Sequence, residues 1–465
     1  MNAPTIWIVA PAFAAILLFL IRNPRVLSIL GGILAVLLAV SAQFIPIDEA
    51  LTVGTYSFKI DASLDVFGRA LEIKPEAGSL LAVIYGAAAL WFFGAEAAGT
   101  ARRLVPHGLL ITALMVASIA VDPFLFAALF IELAILISVP MLVGIQQPPG
   151  RGVTRFLIYQ TLAMPFILLA GWLISGVEAS PGNVALAAQS ASMLGLGFAF
   201  LLAIFPLYNW MPLLMEEASP FIVGFLLWIL PTATIIFGAG FLDRYSWLRS
   251  SPQTASILQF AGLLMIVTGG IWAATQHHLG RVMAYGAIAE TGFSILALSL
   301  DSRVGVPILF LLLPARALGL AVWSLALTVI KNQSESMRFS ATRGLLRSFP
   351  LAGAALALAS LSTGAFPLLA GFPARLALWE NLARLSSGTA LWMGVGIVGL
   401  LTSSFRSLAV LSMADEYTGW SVGEDWAQGI MLGLGMIGLV LLGLFPQSVQ
   451  FFLSDLPAMF ERLGH

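Results

Sequence analysis

The chain is a succession of apolar runs, each close to the length a helix needs to cross a bilayer, parted by short polar connections. A span takes about 20 apolar residues, and a backbone in lipid must satisfy its own polar groups, which a helix does within one segment. Fourteen candidate spans can be placed, at about 5–21, 27–45, 77–94, 107–121, 124–144, 154–175, 191–212, 220–242, 256–275, 282–300, 304–330, 350–381, 389–411 and 427–445. The expected fold is an all-α polytopic membrane protein. Composition agrees: 59% of the 465 residues are hydrophobic and 10% charged, well under the ~25% charged of an ordinary soluble domain.

The connections carry the orientation. Arg22, Arg25, Arg102, Arg103, Arg151, Arg155, Arg281, Lys331, Arg338, Arg343 and Arg347 fall on one side if the spans alternate, and Lys59, Lys74, Arg244, Arg249 and Arg303 on the other. The richer side is assigned to the cytoplasm, and an even span number then places both termini outside. Arg22 and Arg25 follow the first apolar run rather than precede it, and no small-residue cleavage site is evident, so that run reads as a retained span. The polar stretch from Pro46 to Pro75 contains T-Y-S-F-K-I, whose alternation predicts a short surface hairpin.

Two spans carry the same interruption. Residues 204–212 read I-F-P-L-Y-N-W-M-P and residues 365–373 read A-F-P-L-L-A-G-F-P. Pro206 and Pro212 match Pro367 and Pro373 after a shift of 161 positions. Proline removes a backbone donor and clashes with the preceding turn, so each span is expected to break near mid-membrane, where free backbone groups are tolerated beside protein or a wet cavity. The plainer reading is a pair of kinked, packed helices. A shift of about 160 residues carries spans 4–8 onto 9–13. Five helices per unit invert one unit relative to the other, a transporter-like arrangement. The expected divisions are 1–106, a first five-helix unit at 107–242, a second at 243–411, and 412–465 with the last span.

Charges inside apolar spans are costly and read as functional by default. Glu132 lies in F-I-E-L-A-I-L-I-S-V-P, and Glu290, 158 residues later, in A-Y-G-A-I-A-E-T-G-F. Counted from the turn near Ser302, Glu290 and Arg316 lie at similar depth on adjacent helices, which predicts an ion pair; such a pair serves transport or only fixes packing. Arg155 is offset from Glu132 by about nine residues, ~13 Å of rise, and reads as interfacial. Arg375 follows the second interruption as a path residue or a snorkelling one. Glu216 and Glu217, and His277 and His278, are candidates for proton uptake, or plain loop residues. Zero cysteines and four histidines leave no expected metal or cofactor site, so any redox chemistry belongs to a partner. The net charge of −1 gives no nucleic-acid footprint.

At these residues the sequence resembles the antiporter-like membrane subunits shared by respiratory complex I, membrane-bound hydrogenases and multi-subunit cation/proton antiporters. F-I-E-L at Glu132, R-F-L-I-Y-Q at 155–160, and F-P-L-Y-N-W-M-P followed by E-A-S-P are similar to that family's span-5, span-6 and span-7 motifs. Residues 276–293, Q-H-H-L-G-R-V-M-A-Y-G-A-I-A-E-T-G-F, and A-G-F-P-A-R at 370–375 continue the similarity, with Glu290 where a histidine is usual and Arg375 at a terminal path position. The resemblance covers roughly 80–410. It also marks losses: the family's span-7 lysine position is Leu201, its span-8 lysine falls at or beside Thr232, and Tyr208 stands where a histidine is usual. An arginine such as Arg316 holds its proton and is a poor relay.

The resemblance implies a subunit that couples a redox or ion-gradient partner to proton movement, with Glu132 and Glu290 titrating and Arg316 and Arg375 as fixed charges. It would be no catalyst alone, and its partners would be other membrane subunits, lipid and protons, with sodium as the alternative ion. Two alternatives stand beside it: a non-conducting structural subunit of a membrane arm, and a subunit of a multi-subunit sodium/proton antiporter.

Overall fold

The structure is a computed structural model that describes residues 2–463 except 54–55, 67, 145–147, 181, 335 and 414–419. Helices dominate. In chain order they are α1 (Ala10–Leu18, led by a π-turn at Thr5–Val9), α2 (Pro24–Phe44), α3 (Gly78–Gly94), α4 (Ala101–Ala120), α5 (Ala127–Leu142) and α6 (Arg151–Ala179). Next come α7 (Val184–Leu201), α8 (Trp210–Glu217), α9 (Pro220–Arg244), α10 (Ser246–Arg249), α11 (Pro252–Thr275), α12 (Leu279–Leu298) and α13 (Ser302–Gln333). The series closes with α14 (Leu345–Ser348), α15 (Pro350–Thr363), α16 (Phe372–Leu385), α17 (Ser387–Ser412), α18 (Trp426–Leu444) and α19 (Gln447–Leu453).

Among the described residues eleven helical segments are long and apolar enough to cross a membrane, and Thr5–Leu18 and Pro350–Thr363 are shorter apolar helices. The protein is an all-α polytopic membrane fold. Helix lies over each of the fourteen predicted regions. The stretch after Pro46 forms two antiparallel hairpins rather than one: β1 (Ala50–Val53) with β2 (Tyr56–Lys59), and β3 (Ser63–Val66) with β4 (Arg69–Glu72). A two-residue β5 (Val121–Asp122) pairs with β4 through Leu71 and Val121, tying the end of α4 to the hairpins.

Burial sorts the helices into a centre and a periphery. In α9, 94% of the most apolar window is buried, against 22% in α7 and 17% in α18; α9 is therefore a central pillar, and α7 and α18 lie at the periphery with most of their surface exposed. Water expulsion does not drive helices together inside a bilayer, so close packing must. Gly270 of α11 lies so near Gly396 of α17 that a Cβ there would collide with the Gly396 backbone. Around α9, Trp91 stacks on Trp228 with ring centroids 5.0 Å apart.

The paired prolines do not by themselves set where the helices end. Helix stops at Leu201 and resumes at Trp210, and stops at Thr363 and resumes at Phe372. Pro206 and Pro367 fall in the non-helical stretches, whereas Pro212 and Pro373 sit in the first turn of α8 and α16, where an N–H would lack a helical partner anyway. Interior prolines 106, 140, 165, 231, 307 and 314 leave their helices continuous. What distinguishes the two stretches is left-handed backbone at non-glycine residues: Ala203 (φ 52°), Ala365 (φ 57°) and Leu368 (φ 70°). Each such residue costs about 1–2 kcal/mol, so the surrounding contacts must hold it in place.

Candidate functional site

The second interruption builds a charged layer in the bundle interior. Glu290, Arg316 and Arg375 are the charged residues in the buried class among the described residues, at 4%, 1% and 2% exposure. Arg375 lies one turn into α16 and Glu290 midway along α12, and the two form an ion pair through Arg375 Nη2 and Glu290 Oε1. Arg375 Nη1 also donates to the Ser362 carbonyl at 2.6 Å. That carbonyl, one of the last of α15, also accepts from Ala365 N at 3.1 Å in the turn that ends the helix. Ser362 Oγ accepts from Gly371 N at 3.0 Å, closing the non-helical stretch on itself. The Arg375 guanidinium lies 4.9 Å from the centroid of the Phe293 ring.

Arg316 does not pair with Glu290, contrary to the depth count. Its Nη2 donates to Thr291 Oγ1 and to the Leu227 carbonyl, each at 2.9 Å. The second acceptor is explained by Pro231, four residues after Leu227 in α9: a proline lacks the N–H that would have bonded that carbonyl. Equal depth on adjacent helices fixes height but not direction, and α16 places Arg375 on the carboxylate.

The first interruption is closed by a neutral group. Gln160 of α6 is buried, and its Nε2 donates to the carbonyls of Phe200 and Leu201 at 3.2 Å each, at the end of α7. Sequence reasoning missed this role, although a glutamine within an apolar span is itself a signal. Leu201 is buried among apolar neighbours, and Thr232 Oγ1 donates to the Trp228 carbonyl of its own helix at 2.7 Å. Glu132, half-buried on α5, accepts from Thr161 Oγ1 at 2.8 Å, and its Oε2 is buried without a partner. Tyr208 packs edge-on against Tyr285, centroids 6.1 Å apart. Arg155 is exposed.

The uptake candidates are held by local contacts. Glu217 accepts from Gly152 N at 3.0 and 2.8 Å, and so caps the start of α6. Glu216 lies 2.6 Å from Arg281 Nε and 4.0 Å from His278 Nε2. His278 caps α12 by accepting from Arg281 N through Nδ1 at 3.3 Å, an arrangement that leaves Nε2 to carry the proton in the neutral ring. Burial holds this imidazole below its ordinary pKa of 6.5, with Glu216 pulling upward. His277 Nε2 lies 3.3 Å from Arg406. A cavity of about 460 Å³ opens elsewhere, among Leu80, Val116, Ile236 and Phe237 beneath the tail residues 459–462, and touches none of the buried charges.

Fold and site together define a class: a helical, many-spanning membrane protein with an arginine–carboxylate layer in its interior, where α15 ends and α16 begins. Residues 174–402 match the family described as NADH:quinone oxidoreductase/Mrp antiporter, TM. NADH-quinone oxidoreductase subunit 14 of Thermus thermophilus is 30% identical over 308 residues, 63% of this chain and 67% of the relative. The chain belongs to this family of antiporter-like membrane subunits. Subunit N of Rhodococcus opacus NADH-quinone oxidoreductase is 26% identical over 313 residues, 65% of this chain but 55% of the relative, so the matched part spans about half to two thirds of these relatives. The fold is similar to a chain of respiratory complex I from Thermus thermophilus (TM-score 0.77, 20% identity, 100% of this chain and 99% of that one). It is also similar to one of the Mrp complex from Dietzia sp. DQ12-45-1b (TM-score 0.80, 16% identity, 98% and 97%).

Proposed function

We propose that this chain moves protons across a prokaryotic cytoplasmic membrane as an antiporter-like subunit of a complex I-related, energy-converting assembly. The observation that carries this reading is the Glu290–Arg375 ion pair, buried where α15 gives way to α16. A carboxylate removed from water and matched to one fixed cation takes up a proton only when that cation moves away or another charge compensates, which is the property a coupled proton step needs. In this reading α7–α8 and α15–α16 are two interrupted spans, in inverted units at 107–242 and 243–411, flanked by 1–106 and 412–465. Fourteen spans place both termini outside.

Glu132 and Glu290 are the titrating groups, and Arg316 and Arg375 hold the field between them. Arg316 meets α9 at Leu227, five residues before Thr232 and so about 7.5 Å along the axis. It thereby supplies a fixed cation near the position where the family resemblance expects a lysine. Glu216, with His278 and Arg281 beside it, forms the uptake cluster on the cytoplasmic face, together with Glu217 and His277. The driving reaction lies in partner subunits.

The test is coupled proton transport by the complete assembly in proteoliposomes, with Glu132→Gln and Glu290→Gln introduced singly. Both are expected to lower proton movement while the assembly stays intact; wild-type transport in both would overturn the reading. A second reading, a structural subunit of a membrane arm, draws on Leu201 and Thr232, which are packed and locally satisfied. It predicts that Glu132→Gln leaves transport unchanged. A sodium/proton antiporter subunit, the third reading, predicts transport that requires sodium and no redox partner.

A further inference from the structure

We infer that the bundle interior binds a small monovalent anion of the halide class against the guanidinium of Arg316. The buried charges among the described residues do not balance: Arg316 and Arg375 supply two positive charges and Glu290 one negative. Glu290 is already engaged by Arg375, and no carboxylate approaches Arg316 within 4.0 Å among the described residues. An unmatched charge in such surroundings is strongly unfavourable. Arginine does not escape the cost by giving up its proton.

The unused donors show where the compensation belongs. Arg316 spends Nη2 on Thr291 and Leu227, while its Nε and Nη1 are buried without a partner. On α9, next in chain to Leu227, the Trp228 indole N–H is also buried and unpartnered, as is that of Trp91, stacked on it from α3. The two free Arg316 nitrogens are donors, so an acceptor-only species completes them. Water would satisfy the N–H groups but leave the charge. An acidic side chain from a neighbouring subunit would need a surface, and Arg316 is 1% exposed. Glu132, the other acid within a span, is held by Thr161 on α6. Its neighbours Glu290, Thr291 and Leu227 are each at most 4% exposed, so the ion proposed is a compact one.

The inference does not depend on transport and is tested without it. Thermal unfolding of the purified full chain is followed in sodium chloride, sodium bromide and sodium gluconate at constant ionic strength. Above the dissociation constant, each tenfold rise in chloride or bromide should multiply the folded-to-unfolded ratio about tenfold, with gluconate inert. Arg316→Met should abolish the dependence. Arg375→Gln should abolish it too, because Glu290 is then left to neutralise Arg316. Equal stability in chloride and gluconate would overturn the proposal, as would a halide dependence that persists in Arg375→Gln. If Arg316→Met fails to fold, the wild-type and Arg375→Gln titrations decide alone.

Discussion

Replacing Glu290 with glutamine removes the negative charge from a layer that keeps two guanidinium groups. The side chain keeps its size, and both arginines stay buried at 1–2% exposure. Removing one partner of a buried pair costs about 3–5 kcal/mol, or roughly a hundredfold to a few thousandfold in the folding equilibrium at 1.4 kcal/mol per decade. Arg375→Gln should cost less, because Glu290 and Arg316 remain as one charge of each sign. The double variant Glu290→Gln/Arg375→Gln should be more stable than Glu290→Gln alone, since the Arg375 cation stranded by the single change is gone. Denaturant titration in mixed micelles, read by the fluorescence of the 12 tryptophans, measures all three. A Glu290→Gln variant as stable as wild type, or additive single effects in the double variant, would refute the charge argument.

Other expectations follow from single contacts. Gln160→Leu strands the Leu201 carbonyl, while that of Phe200 keeps the Ala203 N–H at 3.2 Å, and should cost about 1–3 kcal/mol in the same titration. Ala365→Gly should be neutral to stabilising, because glycine accepts φ 57° freely, whereas Ala359→Gly within α15 should lose about 1 kcal/mol. The imidazole of His278, facing Glu216, Arg281, Lys331 and Arg338, has a folded pKa below 6.5. Its contribution is full above 6.5 and is lost as pH falls through the folded value. Hydrogen exchange at the start of α12 should therefore quicken on acidification in wild type and not in His278→Gln.

Much of this fold is written in the apolar runs, since a backbone in lipid has few ways to satisfy itself and length alone sets a span. Glu290 was legible for the same reason: a carboxylate in A-Y-G-A-I-A-E-T-G-F stands out against its neighbours. Its partner was not. Depth along a helix follows from counting residues, but whether Arg316 or Arg375 turns toward Glu290 depends on how α12, α13 and α16 are rotated about their axes. The prolines were half informative, because Pro212 and Pro373 occupy first-turn positions where proline suits a helix. Backbone acceptors such as the carbonyls of Ser362 and Leu227 carry no sequence signal, although Pro231 betrays the second. The hairpins around β1–β5 were seen only as one, since T-Y-S-F-K-I alternates clearly and the residues of β3 and β4 less so.

The most direct measurement is infrared difference spectroscopy of the assembled complex as it is energised. If Glu290 exchanges a proton within the buried layer, a carboxyl C=O band should rise or fall with energisation and vanish in Glu290→Gln. Spectra that are the same in wild type and Glu290→Gln, in an assembly that still pumps protons, would contradict a titrating role for this residue.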